Sequence, residues 1–147
     1  MRISVQDGAF DFAAQARAFA ADAAGMGAIV TFTGVVRDLD GGGLEAMEIE
    51  HYPGMTEKAI SAIAQEARTR WALGDVLVIH RHGRLVPGEQ IMMVATAAPH
   101  RGDAFAAAEF LMDYLKSRAP FWKREITAAG AHWVDATDAD EAALKRW

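Results

Sequence analysis

Apolar positions along the chain repeat at two periods, and these divide it into strands and helices. Ile3 to Gln6 is a short strand. Asp11 to Ala24 is an alanine-rich helix ended by Gly25 and Gly27. Ala28 to Val36 is rich in β-branched residues and predicts a buried strand. From Leu44 to His51 two sets alternate, Leu44, Ala46, Glu48 and Glu50 against Glu45, Met47, Ile49 and His51, a mixed strand pattern. Pro53 to Trp71 carries Ala59, Ile60, Ile63, Ala64, Ala67 and Trp71 on one helical face. Asp75 to His82 and Gln90 to Ala98 are strands joined through a turn at Pro87-Gly88. Arg101 to Arg118 is an amphipathic helix with Ala104, Ala108, Leu111, Met112 and Leu115 inward, stopped by Pro120. Phe121 to Thr127 and Ala131 to Val134 form a hairpin around Gly130, and Asp138 to Trp147 is a short terminal helix.

This order places strands directly after strands several times. Antiparallel pairing follows, and the fold class is α+β rather than a doubly wound sheet. No repeat or low-complexity segment divides residues 1–147, so one domain is expected. The glycine-rich stretch Asp38 to Gly43 reads as a mobile loop, and it directly follows Arg37.

Composition narrows the function classes. At 147 residues the chain can bury a proper core, and 52% apolar with 24% charged residues fits an ordinary globular protein. No apolar run is long enough to span a bilayer, and the N-terminus lacks the hydrophobic stretch of a signal peptide, so a cytoplasmic location is expected. The net charge of −5 argues against nonspecific nucleic-acid binding. Without cysteine there is no disulfide, thiolate metal site or cysteine nucleophile.

Against this acidic background, cations gather at glycine and proline turns. Lys116 precedes Pro120-Phe121-Trp122-Lys123-Arg124-Glu125, and a helix end turning into a strand can bring Lys116 and Lys123 to one pocket. Partly desolvated by Phe and Trp, such lysines would have lowered pKa values and could move protons. The same residues also suit plainer roles: Lys116 complements a helix dipole, and Lys123 and Arg124 guard a strand edge. Pro99-His100-Arg101-Gly102-Asp103 opens a helix, where free N–H groups favour an anion; equally, the two cations could simply be exposed. His80 and His82 lie two apart on a strand without a convincing third ligand, so no metal is expected; His51 and His132 read as partly buried histidines. No phosphate loop or nucleophile elbow occurs.

Five blocks in order resemble the large, catalytic subunit of molybdopterin synthase. They are Phe32-Thr33-Gly34-Val35-Val36-Arg37, Glu50 to Met55, Ile79 to Gly83, His100-Arg101 with Ala104-Phe105, and Lys116 with Pro120 to Glu125. The likeness runs from about Gly27 to Trp147. It implies an α/β-hammerhead-type fold with an added antiparallel region. It implies a sulfurtransferase that converts cyclic pyranopterin monophosphate to molybdopterin, without cofactor or metal. The sulfur would arrive as the C-terminal thiocarboxylate of a small ubiquitin-like carrier subunit, with two catalytic subunits forming a homodimer inside a heterotetramer. By the same resemblance Lys116 and Lys123 match the catalytic lysines, and Arg37, His100 and Arg101 match residues that bind the substrate anion. Val35, Val36, Arg124 and Glu125 fall in the matching pocket segments, while Lys145 and Arg146 are candidates for a tail that reaches a second subunit. A noncatalytic module that docks the carrier tail through the same cations is the alternative from another class.

Overall fold

The computed structural model describes residues 1–147. In chain order it contains β1 (Arg2–Gln6), α1 (Phe12–Asp22), β2 (Ala28–Val35), β3 (Ala46–His51), α2 (Met55–Arg70) and β4 (Asp75–Arg81). There follow β5 (Gly83–Leu85), β6 (Gln90–Ala98), α3 (Arg101–Ser117), β7 (Phe121–Thr127), β8 (Gly130–Val134) and α4 (Asp138–Leu144). Two four-stranded sheets result, ordered β1-β4-β6-β2 and β5-β3-β7-β8. All pairs are antiparallel except β1 with β4. The α+β class holds, with that one parallel pair added.

The first sheet is covered on both faces, which explains why β4 and β6 read as nearly continuous apolar runs. Val76, Val78, Met92, Val94 and Ala98 face α2 and α3, where they meet Ile60, Ala64, Phe110, Leu111 and Leu115. Leu77, Ile79, Met93, Ala95 and Ala97 alternate to the other face, under Phe19 and Ala23 at the end of α1. The helix ends follow local chemistry. The Asp11 carboxylate accepts from the Ala14 N–H at 3.0 Å, and the Thr137 hydroxyl accepts from the Asp140 N–H at 3.1 Å.

Three departures from the sequence reading matter. The β4–β6 connection is not a simple turn: the chain leaves the first sheet, adds β5 to β3 of the second, and returns through Pro87-Gly88. Three residues are too few to show a period, so this link between the sheets was silent in the pattern. In α3 the fully buried Phe110 was absent from the expected inward set. It lies on the helix flank, where Trp71 and Trp147 meet it edge-on at 5.2 and 5.5 Å. His132 is exposed rather than partly buried, because β8 forms the outer edge of its sheet.

Gly27 shows how tightly the two ends of the β2–β6 pair meet. A Cβ there would lie 2.4 Å from the Pro99 carbonyl oxygen, a backbone atom that cannot swing aside. Gly27→Ala is expected to cost about 1–3 kcal/mol, as overpacking does, measurable by denaturant melting. Unchanged stability would show that the strand ends are loose.

Strand β2 is the open edge of the first sheet. Along it and the start of α3, apolar side chains face solvent: Phe32 is 42% exposed, Val35 50% and Phe105 62%.

Candidate active site

The end of α3 turns at Pro120 straight into β7, which is paired with β3. Register then decides which side chains of the basic run face inward. Lys123 is opposite Ile49 and Glu125 opposite Met47, so both point to the apolar side of the second sheet. Arg124 is opposite Glu48, on the outer side. There it pairs with the Glu48 carboxylate and lies over the Trp133 ring at 5.2 Å.

The inward residues line a cavity of about 650 Å³ between the two sheets and the end of α3. Lys116, Lys123 and Glu125 lie on its wall, with Met112 and Leu115 from α3 and Met47 from β3. The opposite wall is β2 and its continuation, Phe32 to Val35 and Arg37 to Asp40. A register shift between Gly34 and Val35 changes the alternation of β2. Val35 and Arg37 therefore reach the cavity. Val36 turns into a small core with Leu44, Ile49 and Leu85, its N–H donating to the Glu89 carbonyl at 2.8 Å.

The loop after Arg37 is gathered by one carboxylate. Asp38 Oδ1 accepts from the Leu39 and Leu44 N–H groups at 2.7 and 2.9 Å. Gly41, Gly42 and Gly43, at φ 85°, 87° and 99°, make the return that other residues could not make without strain.

Electrostatically the lysines form a pair. Burial, then the nearby charge of Lys116, pushes the Lys123 ammonium below the ordinary lysine range, while Asp140 opposes the shift. Burial would raise the Asp140 carboxyl. The hydrogen bonds from Thr137 and the charges of Lys116 and Lys123 together outweigh it and hold that carboxyl below its usual range. His80 also lines the cavity and is 2% exposed. Burial, then the Lys123 charge, lowers its pKa from 6.5 to about 3, so the ring is neutral at any physiological pH. The sequence pattern marks neither Asp140, which stands near the two lysines without lining the cavity, nor His80 for this site. The Thr137-to-Asp140 capping spacing was readable, but only tertiary packing sets that helix beside the lysines. For His80 the signal was its place on β4, whose partner across the sheets had no mark in the sequence.

His100 and Arg101 are not in the cavity of their own chain. They are exposed at the start of α3, and Lys116 is fifteen positions further along that helix, about 22 Å at 1.5 Å per residue. Lys145 is exposed; Arg146 is held on α3 by Glu109 and Asp113 at 2.6 and 2.9 Å.

Three cations, Arg37, Lys116 and Lys123, share one half-apolar cavity with the carboxylates Asp38, Asp40 and Glu125 and define an anion-handling site on an α+β frame. Comparison with known proteins places that frame. The model of the family described as MoaE protein matches residues 5–118. The molybdopterin synthase catalytic subunit of Cereibacter sphaeroides is 74% identical over 147 residues, covering 100% of both chains. The solved molybdopterin biosynthesis MoaE protein of Burkholderia ambifaria superposes with a TM-score of 0.84 at 55% identity, over 99% of this chain and 96% of that one. A Helicobacter pylori chain, from a complex of subunits 1 and 2 of molybdopterin-converting factor, shares the fold with a TM-score of 0.78 at 18% identity, over 90% of each chain. The chain belongs to the MoaE family. Its activity is that of a molybdopterin synthase catalytic subunit, an enzyme of molybdenum cofactor biosynthesis.

Proposed function

We propose that the cavity between the sheets is where cyclic pyranopterin monophosphate receives its dithiolene sulfurs from the C-terminal thiocarboxylate of a small ubiquitin-like carrier subunit. The observation that carries this reading is the convergence of Lys116, Lys123, Glu125 and Arg37 on one cavity, although they come from three separate parts of the chain. Arg37, on the β2 side, faces the substrate phosphate, to which a guanidinium gives paired, charge-assisted hydrogen bonds. Lys116 and Lys123, on the other side, meet the carrier's thiocarboxylate. They stabilise the acyl–sulfur adduct and supply protons as oxygen leaves. The carrier brings the sulfur, which suits a chain with no cysteine. The subunit complex described for the Helicobacter pylori relative supports a partner of this kind. The reaction is assigned to the cytoplasm; no helix of the chain is long and apolar enough to cross a membrane.

A second copy reconciles the cavity with His100 and Arg101. The open edge of β2 carries exposed Phe32 and Val35, with Phe105 nearby on α3, a face that a twofold partner would cover. Gly27, just before β2, donates to the Ala98 carbonyl, so His100 sits near the Ala28 end of that strand. The cavity is at the Val35 end. Two β2 edges related by a twofold axis run antiparallel, so the partner's Ala28 end meets this chain's Val35 end. Each copy would then bring its His100-Arg101 to the other's cavity, forming the homodimer at the centre of a heterotetramer with two carriers.

The direct test mixes the protein with thiocarboxylated carrier and the pterin precursor and looks for dithiolene product. Calorimetry tests the anion site: Arg37→Ala and Arg101→Ala are each expected to weaken pterin binding by about tenfold or more. Unchanged affinity in both would remove these arginines from the site. A docking module without chemistry would instead lose carrier affinity in Lys116→Ala in step with any loss of function.

A further inference from the structure

We propose that His80 is a positioning residue for Lys123: its Nε2 is open on the cavity that Lys123 also lines, and it is the acceptor that the Lys123 ammonium reaches by a change of rotamer. The proposal rests on the reading of Lys123 as part of the reaction site. Its geometry begins with the other ring nitrogen. Nδ1 is 2.8 Å from the Arg81 carbonyl oxygen, which can only accept, so Nδ1 carries the proton and Nε2 carries the lone pair. The ring is locked in place. It stacks on Phe121 with centroids 3.7 Å apart and planes 17° from parallel, and it is 2% exposed. Phe121 and Lys123 are two apart on β7, so they share a face and are separated by about 6.6 Å along the strand. The residue that stacks on His80 therefore sets the lysine beside it, and both line the same cavity. Nε2 makes no hydrogen bond in this structure, and it is a fixed neutral acceptor on a cavity wall shared with Lys116, Lys123 and Glu125.

The consequence is specific. A long, flexible ammonium is held at one point of the wall, and its charged form gains an acceptor that partly offsets its burial. The groups facing Lys123 are Lys116 from α3, Asp140 from α4, His80 from β4 and Glu125 on its own strand. Arg37, Asp38 and Asp40 lie across the cavity, and His51 and His82 stand behind His80, with ring centroids 4.3 Å apart.

The experiment uses two kinds of variant. His80→Asn keeps a donor toward the Arg81 carbonyl but removes the acceptor at the Nε2 position, whereas His80→Gln places an amide oxygen within reach of it. His80→Phe, which keeps the stack on Phe121, is a second acceptor-free variant should His80→Asn fold poorly. Two readouts are taken on the full chain. One is the titration of the Lys123 amine by NMR on lysine-labelled protein, its signal assigned by loss in Lys123→Ala. The other is the pH profile of single-turnover dithiolene formation with carrier. In the acceptor-free variants the Lys123 titration is expected to move to lower pH and turnover at neutral pH to fall by about tenfold, with His80→Gln recovering both. The proposal is overturned if the Lys123 titration does not move, whether or not turnover falls, or if Asn and Gln variants behave alike. Normal turnover in Lys123→Ala would sink the catalytic reading of that lysine alone; a titration moved by His80→Asn would still support the contact.

Discussion

Lys116→Arg and Lys123→Arg are each expected to slow dithiolene formation by about 10²–10⁴-fold while leaving carrier binding nearly intact. Arginine can replace only part of what lysine does. It keeps the positive charge that would dock a thiocarboxylate, but it cannot release a proton near neutral pH. Lys123 can, because its cavity is built to make that easier: burial and the Lys116 charge both disfavour its ammonium form. The sign of the pH dependence follows. With its pKa lowered, Lys123 loses its proton at a lower pH than an exposed lysine. A step that needs it as donor fades as pH rises through that lowered value, earlier than for an ordinary lysine. The same shift bears on stability. Between the lowered folded value and the ordinary unfolded one, the unfolded chain binds more protons, so stability rises with pH across that window. The charged lysine is thus a cost to the fold, and a folding defect is not the expected cause of lost turnover. Single-turnover assays, run after carrier binding is verified, decide the matter. Near-normal rates in both variants would reduce the lysines to electrostatic docking.

The parts of this site that were legible in the sequence are those set by short-range rules. The apolar stripe of α3 and its break at Pro120 placed Lys116 at a helix end and Lys123 just past a sharp turn, and both reach the cavity. What sequence blocks cannot resolve is the face on which a residue stands. Val35, Val36 and Arg37 are consecutive, yet a register shift puts the outer two on the cavity and the middle one in a core. Lys123, Arg124 and Glu125 divide in the same way by the plain alternation of β7. β5 was silent because three residues carry no period, although it is the link by which β4 reaches the second sheet. Asp140 and His80 enter through packing between elements far apart in sequence, which no local pattern encodes.

The distance between Arg101 and Lys116 leads to the second large effect. Arg101→Ala and Lys123→Ala homodimers are each expected to be severely impaired, and mixing them after dissociation and reassociation is expected to restore activity. The reason is combinatorial. If Arg101 serves the partner's cavity, a mixed dimer collects both lesions in one site and leaves the other intact. In a random mixture half the dimers are mixed, so about one quarter of the wild-type activity should return. If Arg101 instead served its own chain's cavity, every site in the mixed dimer would carry one lesion and nothing would return. The geometry favours the first outcome. Arg101 is at the opposite end of a rigid 17-residue helix from the cavity, and no bend of α3 could bring both ends to one substrate. Strand β2 spans 8 residues, about 23 Å at 3.3 Å per residue, nearly the same reach as that helix separation. An antiparallel partner along this edge thus offsets its own Arg101 by the length that this chain's Arg101 falls short. Sedimentation must first show that each variant dimerises and that the mixture exchanges. With exchange shown, a mixture that stays as inactive as its components would place Arg101 outside the partner's site and remove the twofold arrangement that brings it there.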